Sequence, residues 1–490
     1  VSAKECNHDT SKWKLTGSWA GAWKIFAGIG ALGLAGAGVG YTQDPKRFAF
    51  SWLFAFITVL LVGLGALFFV LVQRLTAAGW SVTVRRTAEF FALGLIAMVP
   101  LFAPVLLTMN TLFPWLGHGE EHGGSHSSIQ LVTPAYAQDH APAEAVATAE
   151  PVATAEGAAA PTAEGAAPAA AKAEEHATEH HGDDAHGAAA HAAQGHGAHG
   201  PAGDPHEIFE KKALEKKAPY LNKNFFLIRV VFYFAVWVFL AVRLFGYSTA
   251  QDKSKDPKLT LAAQRFASPA TFLYAITVTF AAFDWIMSLD PMWFSTIFGV
   301  VIFACGVVAS YAVLILVTLA LRKSGPLDGA VTVEHYHDLG KLMFGFLVFW
   351  AYVSFSQFML IWYAALPEET TFYHNRWDYE PWANVSKAIV LFHFVVPFFW
   401  TISRNFKRNV GRLQIGAAIL LVMHVVDIYW FVMPNFQLGK PGFTFHWLDA
   451  ACLLAVVGVY GAFVFHRMTQ FPLVPIGDPR LERSLHFQNA

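Results

Sequence analysis

Charge is scarce in this sequence: Asp, Glu, Lys and Arg make up 14% of its 490 residues, while 55% are hydrophobic. A soluble globule of that length would lack the polar surface to cover itself, so the chain is expected to be a membrane protein. Cysteine is scarcer still. Cys6, Cys305 and Cys452 lie far apart, which argues against a four-thiolate iron–sulfur or zinc site and against a disulfide framework. Acids and bases nearly cancel, leaving a formal net charge of -1. Without a basic field, nucleic acid is not expected as a partner. No removable signal segment is expected before the first long apolar run.

What the sequence has is long apolar runs. Hydrocarbon about 30 Å thick needs roughly 20 apolar residues in a helix, and ten stretches qualify. Their expected limits are Trp19–Tyr41, Phe48–Val72, Ala88–Met109, Phe225–Phe245, Pro269–Leu289, Ser295–Leu321, Lys341–Leu366, Asn384–Ser403, Gly411–Met433 and His446–His466. The division is a tail (1–18), three spans (19–112), a long loop (113–224), seven spans (225–466) and a second tail (467–490). The first span reads GIGALGLAGAGVG, small residues that let a neighbouring helix approach closely. Lys4, Lys12, Lys14, Arg74, Arg85, Arg86, Lys253, Lys255, Lys258, Arg265, Arg322, Lys323, Arg404, Lys407, Arg408, Arg467, Arg480 and Arg483 gather on one side. The short loops of the other hold only Lys46, Arg47, Arg376 and Lys440. The positive-inside rule therefore places both termini in the cytoplasm. The basic stretch EKKALEKKAPYLNK at 210–223 falls on the outer side, at the end of a long loop, where charge has little hold on topology.

The long loop is rich in Ala, Pro and Glu and contains 12 of the 21 histidines. Its composition cannot build a core, so it is expected to be a spacer that binds metal loosely, with a short amphipathic helix around Glu207–Lys217. An ordered metal centre and a partner-docking tail are the alternatives.

Ionisable groups inside lipid are costly and point to function or to a bundle interior. At 1.5 Å per residue, Asp284 lies about 9 Å below the outer end of its span, Asp427 about 10 Å and Asp449 about 5 Å. His393, His424 and Gln357 fall about 14–15 Å deep, a polar layer near the midplane. His424 and Asp427 are three residues apart and share a helix face, as a proton-holding pair would. Structural hydrogen bonding, or haem ligation by His393 and His424, are alternatives. Asp284 precedes Pro291 by seven residues and Asp427 precedes Pro434 by seven, which suggests that spans two to five and six to nine repeat one four-helix unit. No pair of mid-membrane helix breaks is expected, which argues against secondary transport. EHYHDLGK, residues 334–341, stands at the cytoplasmic mouth of span seven and has no typical zinc spacing. Interfacial anchoring and proton entry are both open for it, the latter needing groups such as Tyr274, Ser310, Tyr311 and Thr318 to bridge an apolar stretch.

The runs FDWIMSLDPMWFSTIFGV, VTVEHYHDLGKLMFGFLVFWAYVSFSQFMLIWYAALPEET and GDPRLERSLHFQN resemble the ActF-type membrane subunits of bacterial alternative complex III, within the NrfD/PsrC-like family. The resemblance runs from Phe48 onward, outside the His-rich loop, and is densest over 280–370. It implies an all-α integral membrane fold of two four-helix bundles plus two extra helices, in the bacterial cytoplasmic membrane. It also implies a subunit of a quinol-oxidising respiratory complex that binds no redox cofactor and no metal itself and takes part in proton translocation. The implied partners are a homologous quinol-binding membrane subunit, an iron–sulfur subunit, and multihaem and monohaem cytochrome c subunits. Menaquinone or ubiquinone, haem c and iron–sulfur clusters would then reside in those partners. By position the resemblance carries over Asp284, Asp290, Glu334, His335, His337, Asp338, Lys341 and Gln357. Met292 departs from it, since the family pattern has His after the proline. The proton pathway expected from both readings comprises Asp284, Asp427 and Asp449 on the outer side with Asp290, then His393, His424 and Gln357, then His335, His337, Asp338 and Lys341 at the inner entrance. A purely structural scaffold, and a quinone pocket at His393 or His424, are the rival functions.

Overall fold

The computed structural model describes residues 13–119, 212–437 and 445–489. Within them the chain is helical, with no strand. Ten helices are long and apolar enough to cross a membrane: Trp19–Gln43, Pro45–Leu75, Val82–Leu107, Lys223–Ser254, Pro257–Leu289, Phe298–Lys323, Val333–Ala364, Glu380–Ile402, Val410–Gln437 and Trp447–Gln470. Each expected span has its counterpart. Residues 1–12, residues 120–211 of the long loop and Lys440 lie outside the described residues, as does the start of the helix expected around Glu207–Lys217; its described part, 212–217, is helical.

Local chemistry explains why the spans outrun their apolar cores. Asp44 caps span two through the Arg47 N–H at 2.8 Å, with Pro45 as first helical residue. Asp256 and Pro257 start span five in the same way, one residue after Lys255 turns left-handed to end span four. Span seven begins eight residues before the expected Lys341, because Thr332 and His335 form a reciprocal cap. EHYHDLGK is therefore the first two turns of a helix rather than a loop.

Two spans are less regular than expected. In span eight, Ile389–Val395 is π-helical just ahead of Pro397, whose ring would clash with the carbonyl of His393 and which has no N–H to offer. Span three is interrupted at Gly94 and Phe102, the latter between Pro100 and Pro104. The expectation of unbroken mid-membrane helices is corrected at these two places.

Spans two to five close into one four-helix bundle and spans six to nine into another, and the bundles meet along spans two and six. Spans one and ten pair with each other and lie on span two. The small residues of span one are what permit this. A Cβ on Gly33 would stand 2.2 Å from the Ala455 nitrogen, and one on Gly458 would stand 2.2 Å from the Gly30 nitrogen. Both chain tails lie at one end, joined by the Leu473 N–H to the Trp13 carbonyl at 2.8 Å. We call that end the tail face and the other the far face.

Candidate functional site

Four side chains meet inside the second bundle. Spans six and nine place the Cys305 thiol 3.2 Å from Asp427 Oδ2 and 3.1 Å from His424 Nδ1. Span eight adds His393, with Nδ1 3.7 Å from the same carboxylate oxygen, too long for a hydrogen bond. Its ring stacks on Trp350 of span seven, centroids 3.9 Å apart. His424 Nε2 reaches the Thr58 carbonyl of span two at 3.0 Å. Asp427, His393, His424 and Cys305 are at most 1% exposed. Among the described residues Asp427 forms no ion pair with Lys or Arg, and neither ring nitrogen of His393 has a hydrogen-bond partner. His424 commits both ring nitrogens, leaving none for a haem iron. Among the described residues no group of three or more His, Cys, Asp or Glu stands where it could hold a metal.

Asp284 and Asp449, buried in spans five and ten, are locked by arginine. Asp284 takes a two-pronged bond from Arg229, Nε to Oδ2 at 2.7 Å and Nη2 to Oδ1 at 2.9 Å, and a third from the Tyr233 hydroxyl at 2.7 Å. Asp449 is gripped by Arg47, by Ser51 Oγ at 2.5 Å and by the Tyr429 hydroxyl at 3.1 Å, and it also caps span ten through the His446 N–H at 3.0 Å. Gln357 lies away from the histidines, between Ser295 Oγ at 3.1 Å and the Tyr373 hydroxyl at 3.4 Å. Asp290 accepts the Met292 and Trp293 N–H groups, at 3.2 and 3.3 Å, shaping the turn after span five. Burial pushes its carboxyl above the usual range.

At the tail face the EHYHDLGK residues hold connections together. Glu334 pairs with Arg408 and accepts from Asn489. His335 takes part in the Thr332 cap through Nδ1 and meets Ser484 Oγ of the C-terminal tail at 3.3 Å through Nε2. Asp338 and Lys341 pair at 2.5 Å. His337 is buried, and its Nδ1 has no partner. Beside them lies an ionic cluster that sequence reading missed. Arg74, Arg85 and Arg86, all at most 2% exposed, share Glu89, Asp478 and Asp252. The closest contacts are Arg85 to Asp478 at 2.5 Å, Arg86 to Asp252 at 2.7 Å and Arg86 to Glu89 at 3.1 Å. Burial pushes Asp478 up, but Arg85 and neighbouring donors outweigh it and hold the carboxyl below its ordinary value.

Buried polar atoms without partners are unevenly spread. Toward the tail face from the Asp427 cluster lie Ser310 Oγ, Tyr311 OH, Tyr336 OH and His337 Nδ1; toward the far face lie Ser354 Oγ and Trp293 Nε1. Cys305 and the arginines were the residues hidden from sequence reading. The i, i+4 spacing of Arg85 and Glu89 and the i, i+3 spacing of Arg86 and Glu89 were the available signals. No known protein-family model and no curated protein matches the chain.

Proposed function

We propose that the chain is a membrane subunit, without a redox centre of its own, of a quinol-oxidising respiratory assembly in a bacterial cytoplasmic membrane, and that its Asp427 cluster transfers protons. The observation that carries the transfer reading is a deeply buried carboxylate with a thiol and two imidazoles around it and, among the described residues, no arginine to fix its charge. Gain or loss of a proton by such a group breaks no ion pair with arginine or lysine. The sequence resemblance supplies the assembly. Its partners would be a homologous quinol-binding membrane subunit, an iron–sulfur subunit and cytochrome c subunits.

In this reading a proton moves among groups of this chain and no bond other than O–H, N–H or S–H changes. Buried hydroxyls such as Ser310, Tyr311 and Tyr336, which ordered water would satisfy, form the route between His337 and the cluster. His393 is the acceptor nearest Asp427. Asp284 and Asp449 serve as fixed counter-charges, while Glu334, His335, Asp338 and Lys341 hold the tail and loops that frame the inner end.

The test is Asp427→Asn in the reconstituted assembly. We expect fewer protons released per quinol oxidised, with assembly yield unchanged. An unaltered stoichiometry would remove Asp427 from the pathway. A lower yield with normal turnover per assembled complex would favour the scaffold reading, which the ionic cluster at the tail face supports.

A further inference from the structure

Arg376 is a buried cation that neither the ion pairs nor the relay described above employs. It lies on the Pro367–Trp377 helix at the far face and is 2% exposed. Among the described residues no carboxylate comes within ion-pair distance of it. Instead its guanidinium donates to three carbonyls: Phe372 at 2.8 Å, Trp430 at 3.1 Å and Phe431 at 3.2 Å.

The reason is in the sequence of span nine. Pro434 has no N–H, so the Trp430 carbonyl four residues earlier has no helical donor. Arg376 supplies one, and its charge faces the negative end of the helix dipole. Aromatic rings close around it: Phe372 at 3.6 Å from the guanidinium carbon and Trp430 at 5.0 Å, with Phe372 stacked on Trp293 at 4.1 Å. Burial pulls its pKa down to about 9, opposed by Asp290. It therefore stays charged at neutral pH.

Position gives the charge its meaning. Trp430 and Phe431 follow Asp427 by three and four residues, about 5–6 Å along the helix. A fixed cation wrapped in aromatic rings thus stands over the far-face side of the cluster. Positive charge in a low-dielectric constriction repels an excess proton, as it does in pores that exclude cations. Toward the tail face the described cation on span nine, Arg412, is exposed and fifteen residues from Asp427, and four of the orphaned polar atoms lie on that side.

Resting on the transfer reading above, we propose that Arg376 is a proton barrier: it closes the Asp427 cluster toward the far face, so that the cluster exchanges protons with the tail face until Arg376 is displaced. The residue acts by position and charge and does not itself carry the proton.

The experiment uses the full chain in sealed liposomes containing a pH-sensitive dye, with a potassium diffusion potential driving protons inward. Wild type and Arg376→Lys should be tight. Arg376→Gln, which keeps a donor for the carbonyls and loses the charge, should leak severalfold faster, and adding Asp427→Asn should return the leak to the wild-type level. Leak in Arg376→Gln no faster than wild type, or leak that survives Asp427→Asn, would overturn the barrier. Should Arg376→Gln fail to fold, wild type alone decides. In vesicles sorted by orientation, the Asp427 carboxyl infrared band should respond promptly to a pH jump on the tail-face side only, and a prompt response from both sides would overturn the proposal. The relay fails separately: if Asp427→Asn leaves proton release per quinol unchanged while Arg376→Gln still leaks through Asp427, the transfer reading falls and the barrier stands.

Discussion

Asp284 and Asp427 begin as twins. Each precedes a proline by seven residues near the end of the last helix of its bundle, and each is at most 1% exposed. Their surroundings differ. In the first bundle Arg229 and Tyr233 fill the coordination of Asp284. In the second, no arginine among the described residues reaches Asp427. A buried guanidinium on that side, Arg376, spends its donors on carbonyls one turn further along. One sequence signature thus yields a strut in one bundle and, in the other, what we propose is an exchangeable acid, and what separates them lies on other helices.

The largest expected effect breaks the strut. Asp284→Ala leaves Arg229 buried and unpaired, a loss of about 3–5 kcal/mol. Thermal melting in detergent should show it, and Arg229→Leu combined with Asp284→Leu should recover much of the loss, since a well-packed apolar pair often equals a buried ion pair. Arg47→Met should behave similarly by stranding Asp449. Asp427→Asn should cost under about 1 kcal/mol in the same assay, because it removes no ion pair with Lys or Arg. A melting loss as large as that of Asp284→Ala would erase the contrast between the bundles.

Cys305→Ala should be intermediate, about 1–2 kcal/mol, through the lost hydrogen bonds to Asp427 and His424; Cys305→Ser should restore most of it. His335→Ala removes a helix cap and a contact to Ser484, an effect of about 1 kcal/mol, visible as faster proteolysis of the C-terminal tail. The smallest effect concerns pH. Asp478 has a folded pKa below its ordinary 3.8, so the stability it contributes is full above that value and is lost as pH falls through the folded pKa. Tail protection should therefore persist at pH 5 and fail only in stronger acid. Failure already near pH 5 would show that another group holds the tail.

Much of the architecture was legible because a membrane span announces itself by length and composition alone. The approach of spans one and ten could be anticipated from GIGALGLAGAGVG, since small residues mark close contact whatever the partner. That His424 and Asp427 face one region was legible because both lie on one helix; that each meets the Cys305 thiol was not. What stayed hidden depends on contacts between helices distant in sequence. Cys305 looked like part of an apolar run, and Arg47 and Arg376 like loop charges that set topology. Gln357 matched the histidines in counted depth, yet its span begins and ends elsewhere than its apolar core, so it bonds to Ser295 and Tyr373 instead. His335 and its neighbours read equally well as anchor or entrance until the C-terminal tail was seen against them.

We propose that Asp427 exchanges its proton within the membrane, whereas Asp284 serves as a strut. Infrared difference spectra of the full chain in lipid, recorded across a pH titration, measure it directly. The account predicts a protonated-carboxyl band that vanishes in Asp427→Asn and persists in Asp284→Asn. A band that survives Asp427→Asn, or disappears with Asp284→Asn, would contradict it.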